Sequence, residues 1–375
     1  MSARLLSPWR IASVAVVLGL LGSAIVTLAL VDSAIPRAAG RRPSPSGVLK
    51  PAMRAGQTAQ PSAGLHLLEE AATACQDVSY RGVQVVAWWG DDGTTTSVVE
   101  VWHQPGRGTL AKAADPEAGP LDPLQPPFAD GQNPDGILGL SGQLLVLMQA
   151  NYEVVYTGHG NADNRPARIV EIRQPSGKLA ARFWLDAATK LPLRRELFDT
   201  NARVISKDAF IKLTVGASGL ADMPVAAARR WAGRLDESGL AALRAKGWPL
   251  PSRLPGNLML FGSDQTSTQS GQVVDLSYSD GLSIVSLFVQ RGVLPRALSG
   301  WRSVVMHGRT VYASGSDDQS LAWSAHGFVF TLIADAPSAT VGQVVAAMPR
   351  DEDPGFWQRL GRGFRRLGSW VNPFG

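Results

Sequence analysis

RPARIVEIRQPSGKLAARFWLDAATKLPLRRELFDTNARVISKDAFIKLTV, residues 165–215, decides the fold of this chain. It reads as four strands joined by three tight turns. Ile169–Arg173 runs into Gln174-Pro-Ser-Gly177, where Pro and Gly supply the dihedrals of a reversal. Leu179–Leu185 returns, Asp186-Ala-Ala-Thr-Lys190 turns again, and Leu191–Phe198 goes back out before Asp199-Thr-Asn201 reverses into 202–215. Strand parity places Ala181, Phe183 and Leu185 on one face, with Arg182 and Trp184 opposite. In the next strand Leu191, Leu193 and Leu197 share a face while Arg194 and Glu196 point away. An antiparallel meander with one apolar side has to cover something: helices, a second sheet or a ligand.

Working outward, the same stretch carries a resemblance. Asn151-Tyr-Glu-Val-Val-Tyr156, Arg165-Pro-Ala167, Arg182-Phe-Trp-Leu-Asp186, Leu191-Pro-Leu-Arg-Arg195 and Phe210 resemble the MucB/RseB family. The similarity reaches back to Ser79-Tyr-Arg-Gly82 with Val101-Trp-His103. Forward, it reaches Tyr278-Ser-Asp-Gly281 with Val285-Ser-Leu-Phe288, then Ala336-Pro337 with Thr340-Val341. It thus spans most of residues 65–349. The turns depart from the family: glycine is usual where this chain has Asn164, Lys190 and Asn201. Keeping a left-handed backbone at Lys190 would cost about 1 kcal/mol.

The resemblance implies an α+β protein. Its N-terminal domain would be a half-open, curved antiparallel sheet, lipoprotein-carrier-like, with helices on its concave face. A smaller C-terminal α+β domain would follow. The resemblance also implies a negative regulator of a sigma-E-type stress response that binds the exported part of a membrane-spanning anti-sigma factor and protects it from proteolysis. A lipid or acylated ligand in the apolar cleft is the second expected partner. The competing reading is a lipid or lipoprotein carrier of the envelope without a regulatory partner, and a cell-surface interaction module is a third. The cleft candidates are Val83, Val85, Val99, Val101, Leu144, Met148, Phe183, Leu185, Leu193 and Leu197.

The chain in order gives six segments: 1–32, 33–64, 65–217, 218–251, 252–349 and 350–375. Arg4 and Arg10 precede Ile11–Val31, a run without charge long enough to cross a hydrocarbon core of about 30 Å. Asp32-Ser-Ala-Ile-Pro-Arg37 is a poor cleavage site, which favours a retained signal-anchor over a signal peptide. Flanking arginines on both sides leave orientation to the resemblance, which puts the body outside the cytoplasm. Residues 33–64 are rich in proline and basic, a solvated linker. A helix is expected from Leu65, with Leu68, Ala72 and Cys75 on its buried face.

Tyr80–Trp89 and Thr94–His103 form an expected hairpin across Gly90–Gly93. Val83, Val85, Ala87 and Trp89 share one face of it, with Val99 and Val101 able to join them. Gln104–Asp135 reads as a surface excursion or lid, and Leu138–Ala150 as a buried helix against the sheet. After residue 215 the 218–251 segment is a helical connection, its short helix capped by Asp236 and ended by Gly247. The domain 252–349 offers seven strands, then a final helix for which Thr340 and Gln343 are spaced as a capping box.

The tail is an amphipathic basic segment. Trp357, Phe364 and Trp370 lie opposite Arg359, Arg362, Arg365 and Arg366, the pattern of an interfacial helix, with packing on the second domain as the alternative.

The remaining composition excludes more than it proposes. The net charge of +5 is concentrated in the tails, which favours an anionic membrane surface over nucleic acid. A single cysteine excludes an internal disulfide. No nucleophile elbow, phosphate loop or zinc-binding helix motif occurs, and the five histidines are scattered without ligand spacing. No catalytic residues, cofactor or metal are expected.

Overall fold

The computed structural model describes residues 61–90, 93–106, 108–113, 140–216, 233–268, 271–295, 298, 301–314 and 320–350. The expected signal-anchor at 11–31 and the basic tail with Trp357, Arg359, Arg362, Phe364, Arg365, Arg366 and Trp370 lie outside the described residues. Among the described residues no helix is long and apolar enough to cross a membrane.

The first half runs α1 (Pro61–Asp77), β1 (Tyr80–Gly90), β2 (Gly93–Gln104), β3 (Gly108–Ala113), α2 (Gly142–Asn151), β4 (Glu153–Ala162), β5 (Arg165–Arg173), β6 (Leu179–Asp186), β7 (Pro192–Phe198) and β8 (Val204–Val215). These strands make one eight-stranded sheet in the order β3-β2-β1-β8-β7-β6-β5-β4. Every neighbouring pair is antiparallel. The sheet curls into a half-barrel that stays open, its edges being β3 and β4. Register slips in five of its pairings, β1/β8, β4/β5, β5/β6, β6/β7 and β7/β8, supply local bends of the kind bulges give.

The second half runs β9 (Gly233–Arg234), α3 (Glu237–Ala245), β10 (Arg253–Leu254), β11 (Leu258–Thr268), β12 (Gly271–Ser279), β13 (Ile284–Arg291), β14 (Arg302–Met306), β15 (Arg309–Ser314), β16 (Ser320–Ala325), β17 (Phe328–Asp335) and α4 (Ser338–Ala347). Its nine strands form a second sheet ordered β10-β11-β12-β13-β17-β16-β15-β14, with β9 paired to β11. Leu235, Leu240, Leu243, Trp248 and Leu250, from the stretch read as a connection, are part of this half's core. So are Leu287, Trp323, Phe330 and Val344. The molecule is α+β, mostly sheet.

Local chemistry explains most elements. Ser141 caps α2 by accepting from Leu144 N at 3.1 Å, and Asp236 caps α3 by accepting from Gly239 N at 2.8 Å. Gly247, with φ +79°, follows α3 as its left-handed terminator. Cys75 is buried on the inward side of α1 together with Leu68 and Ala72.

Three expectations need correction. The stretch read as a surface excursion contains β3, which pairs with β2 from Val99↔Ala113 to Gln104↔Gly108. The capping box at α4 does not form: the helix begins at Ser338 after Pro337, with no side-chain cap. In the third turn the left-handed residue is Ala202 (φ 60°) rather than Asn201, whose amide instead donates to Asp199 Oδ1 at 2.8 Å. Asn164 (φ 53°) and Lys190 (φ 69°) do hold the left-handed geometry.

Candidate functional site

Residues opposite each other in an antiparallel ladder share a face, so the register sorts the side chains of the first sheet. Val170 pairs with Phe183 and Ile172 with Ala181; Ala181 in turn pairs with Leu197. This inner face is covered by α1 and α2. Phe183, Leu185, Leu197 and Met148 form one core with Leu68, Ala72, Cys75 and Leu145. Towards the β2 side of the same face, Val99 and Val101 pack with Tyr80, Leu191, Phe210 and Ala74.

Not every cleft candidate belongs here. Val83 pairs with Glu100 and Val85 with Val98, whereas Val99 and Val101 oppose Gln84 and Gly82. Val83 and Val85 therefore lie on the outer face, half-exposed, and do not join Val99 and Val101. Leu193 also leaves the set. The pairing jumps from Trp184↔Arg194 to Leu185↔Pro192, so Leu193 has no partner across the ladder. It packs with Trp184, Ala162 and Ala167 instead. Leu144 is buried beside Leu145 on α2.

Phe183, Leu185 and Leu197 are each at most 3% exposed and Met148 is 0% exposed, so this apolar face is packed and closed rather than an open groove. Polar contacts at three places tie the first half to the second.

The first is centred on Arg195, which faces inward between Phe183 and Asp208 in the ladder. Its Nε donates to Asp208 Oδ2 at 2.9 Å, and its Nη2 donates to Asp335 Oδ2 at the end of β17. Burial works against the Arg195 charge, but Asp335 and Asp208 outweigh it and hold its pKa above the ordinary value. Burial pushes the Asp208 carboxyl up to about 7, against the pull of Arg195 and helped by the neighbouring Asp335.

The second contact is the turn between β12 and β13. Ser279 Oγ accepts from Gly281 N at 2.9 Å and donates to Ser283 O at 2.8 Å. Asp280 Oδ1 accepts from the amides of Leu282 (2.9 Å) and Ser283 (2.7 Å), leaving Oδ2 for Tyr152 Oη, which donates at 2.7 Å. Asn151 Nδ2 donates to Asp280 O at 3.0 Å. Gly281 (φ +100°) lies so close to α2 that an added Cβ would sit 2.2 Å from Met148 N. Leu282, from the second half, is part of the first half's core. At the other end of α2, Gln143 Nε2 donates to Phe261 O at 3.1 Å, in the segment where the β11/β12 register shifts. Burial raises the Asp280 carboxyl, although Tyr152 and the turn amides pull it down. Burial, then Asp280, raises the Tyr152 phenol.

Sequence reasoning missed this contact. Asp208 and Arg195 fall at inward parity positions, and a charge on an apolar face was the available signal. Tyr278-Ser-Asp-Gly281 is visible as a turn, but nothing local says that it meets α2, 128 residues away from Asp280 in the Tyr152 pair.

His103 is structural. Its ring stacks on Tyr80 at 5.2 Å and its nitrogens meet Thr109 Oγ1 (2.8 Å) and Gln76 O (3.2 Å), tying β2 to β3 and to α1. Burial lowers its pKa, partly opposed by the Gln76 carbonyl. The outer face carries ion pairs, and Arg182 and Asp186, two acid–base neighbours at one parity of β6, do not pair with each other. Arg182 binds Glu171 at 2.7 Å, while Asp186 binds Arg165 and closes its own turn through the amides of Ala188 and Thr189. Arg194 does pair with Glu196 and lies over the Trp184 ring at 4.3 Å. Among the described residues no group of three or more His, Cys, Asp or Glu side chains could hold a metal ion.

Residues 130–232 match the family described as MucB/RseB N-terminal domain. No curated protein sequence matches the chain. Among solved structures, that of MucB is similar at 18% identity and a TM-score of 0.49, covering 77% of this chain and 98% of that one. Two complexes are similar at a TM-score of 0.43 and cover 78% of this chain and 100% of theirs. One is MucB with MucA(peri), at 17% identity, and the other is MucA/MucB of Pseudomonas aeruginosa, at 18%.

Proposed function

We propose, from the premise that residues 130–232 carry a MucB/RseB N-terminal domain, that this protein is a non-catalytic regulator of an envelope stress response. Its exported body binds the outer part of a membrane-spanning anti-sigma factor and shields it from proteolysis, so the sigma-E-type factor stays restrained. The observation that carries this reading is the family match, whose 130–232 range contains α2 and β4–β8, most of the closed inner face and its seat on the second half. Structures of MucB with MucA supply the type of partner to test. The units doing this work are the first half, 61–216, and the second half from Gly233 on, held outside the cytoplasm by the 11–31 segment as an anchor through the proline-rich linker that precedes Pro61.

A lipid or acylated ligand entering the inner face would loosen the grip on the partner. Linkage requires the partner to weaken lipid binding by the same factor. The test of the main reading is a cross-linking pull-down from native membranes with the bound proteins identified. Recovery of a single-pass protein whose cytoplasmic part binds a sigma factor supports it. Recovery of stoichiometric lipid and no protein partner rejects it in favour of an envelope lipid carrier, the reading that the apolar core behind Phe183 and Leu197 would then serve.

A further inference from the structure

The strands of the second sheet are charged differently at their two ends. At the end that meets the first half, β17 closes on Asp335 and the turn after β12 carries Asp280. At the free end β13 closes on Arg291, opposite Phe328, and the turns of the neighbouring hairpins are His326-Gly327 and His307-Gly308. Both helices of this half finish there too. Arg291 Nη2 donates to the carbonyl of Lys246, which ends α3, at 3.2 Å. Arg309 donates to the carbonyls of Met348 (2.7 Å) and Pro349 (2.9 Å), just past α4. Burial, then the Arg350 charge, lowers the Arg309 pKa, so these two cations share one patch.

The rim thus gathers Lys246, Arg291, Arg309 and Arg350, and among the described residues it holds no Asp or Glu. The acids of α3, Asp236 and Glu237, lie at its other end, and Asp264 and Asp275 oppose each other farther down β11 and β12. Two apolar side chains stand out of the rim. Val293, just beyond β13, is 52% exposed, and Val305, beside the β14–β15 turn, is 75% exposed.

We propose that this free end of the second sheet is a docking face for an anionic lipid bilayer, with Lys246, Arg291 and Arg350 at the phosphate level and Val293 and Val305 dipping into the interface.

Three observations select that occupant. A rim of fixed cations, with the acids kept to the opposite end of the strands, complements a plane of anionic headgroups. The cations surround protruding apolar tips, which suits a soft surface, and the Arg309 guanidinium is already engaged by carbonyls. The chain also leaves from this rim, because Arg309 holds Met348 and Pro349. Residues 351–375 follow, with Arg359, Arg362, Arg365 and Arg366 among aromatic residues. Asp351, Glu352 and Asp353 come first and offset Arg350 in part, which leaves the larger share to Lys246 and Arg291. Docking in this way would turn the first half, joined at the opposite end of the strands, away from the bilayer.

The test attaches a dye to the full chain through Thr310→Cys, the exposed neighbour of Val305 across the ladder, or through Ala188→Cys, exposed in the turn after β6. The natural Cys75 is buried. The chain is incorporated into vesicles of phosphatidylcholine, alone or mixed with phosphatidylglycerol, that carry an acceptor dye on a headgroup. Transfer from position 310 should be roughly twofold higher in the mixed vesicles, exceed that from position 188 and fall with added salt. Lys246→Glu with Arg350→Glu should remove the phosphatidylglycerol-dependent part, and Val305→Ser should reduce it; all three are exposed side chains, so the fold is kept. Deletion from Asp353 onward separates the rim from the tail. Transfer that survives deletion and still responds to Lys246→Glu supports the rim, whereas loss on deletion with no response to Lys246→Glu in either form overturns it. Equal transfer in the two kinds of vesicle, or from the two dye positions, also overturns it. Binding of soluble polyglutamate without any response to lipid charge would reassign the rim to an acidic peptide.

Discussion

At the scale of single residues, Arg195 and Asp208 form a buried ion pair that the half-exposed Asp335 extends into the second half. Replacing Arg195 by Ala would leave Asp208 buried without its cation, and a loss of about 3–5 kcal/mol in unfolding free energy is expected from denaturant titration. The pH response follows from Asp208. Its folded pKa of about 7 lies above the unfolded carboxylate value of roughly 4, so between these limits the folded chain binds the extra proton. Stability from this group therefore rises as pH falls from 7 towards 4, by up to roughly 1 kcal/mol per pH unit. Asp280, also raised, acts in the same sense, whereas the lowered His103 acts against it below its ordinary 6.5. The clean measurement is the difference between the natural chain and Asp208→Asn, in which the other groups cancel; a difference independent of pH would refute the assignment. A smaller effect sits at Lys190. Its left-handed backbone is strained for a side chain with a Cβ, while its Nζ lies 3.4 Å from Glu70. Lys190→Gly should shift stability by no more than about 1 kcal/mol, upward if strain outweighs the ion pair and the added chain entropy.

Strands and helices obey parity until a bulge interrupts it. Arg194 is about 30% exposed over Trp184, while its neighbour Leu193 is 0% exposed. Leu193→Asp should lower the melting temperature far more than Arg194→Asp, since an unpaired buried charge costs several kcal/mol and an exposed reversal about one. Equal melting temperatures would reject this placement. The meander, the β1–β2 hairpin, α1, α2 and α3 were legible because period, turn residues and caps are local signals. Leu193 was assigned to the wrong company because one unpaired residue reverses which neighbours a side chain meets, and nothing in Leu191-Pro-Leu-Arg-Arg195 announces a bulge. Val99 and Val101 were grouped with Val83 and Val85 because hairpin register depends on the turn. With Gly90 opposite Gly93, odd residues of β1 face even residues of β2. The Asp280 turn was illegible for a different reason: its partners lie in another half of the chain, and contact order leaves no periodic trace.

For the whole molecule, anchoring and the tail remain to be tested. If 11–31 is retained, protein sequencing of the mature chain will find no N-terminus beyond Val31. If the 356–371 segment lies on the membrane, a fragment lacking residues 1–64 should bind anionic vesicles better than neutral ones. Salt should weaken that binding without abolishing it, each of the four arginines contributing about 1 kcal/mol. Deletion from Asp353 onward should remove most of the binding; a lowered melting temperature with binding intact would return the tail to the second half. The contacts of α2 also have a mechanical meaning. This ten-residue helix is gripped by the second half at both ends, Gln143 at one and Asn151 and Tyr152 at the other, about 12 Å apart along the axis. Two grips on one line resist stretching and tilting but leave rolling about that line soft. The Arg195–Asp335 contact is an off-axis pin against that roll. Severing it should leave the halves together yet free to swivel, so that a ligand or partner reaching Arg195 would alter torsional stiffness before it altered separation.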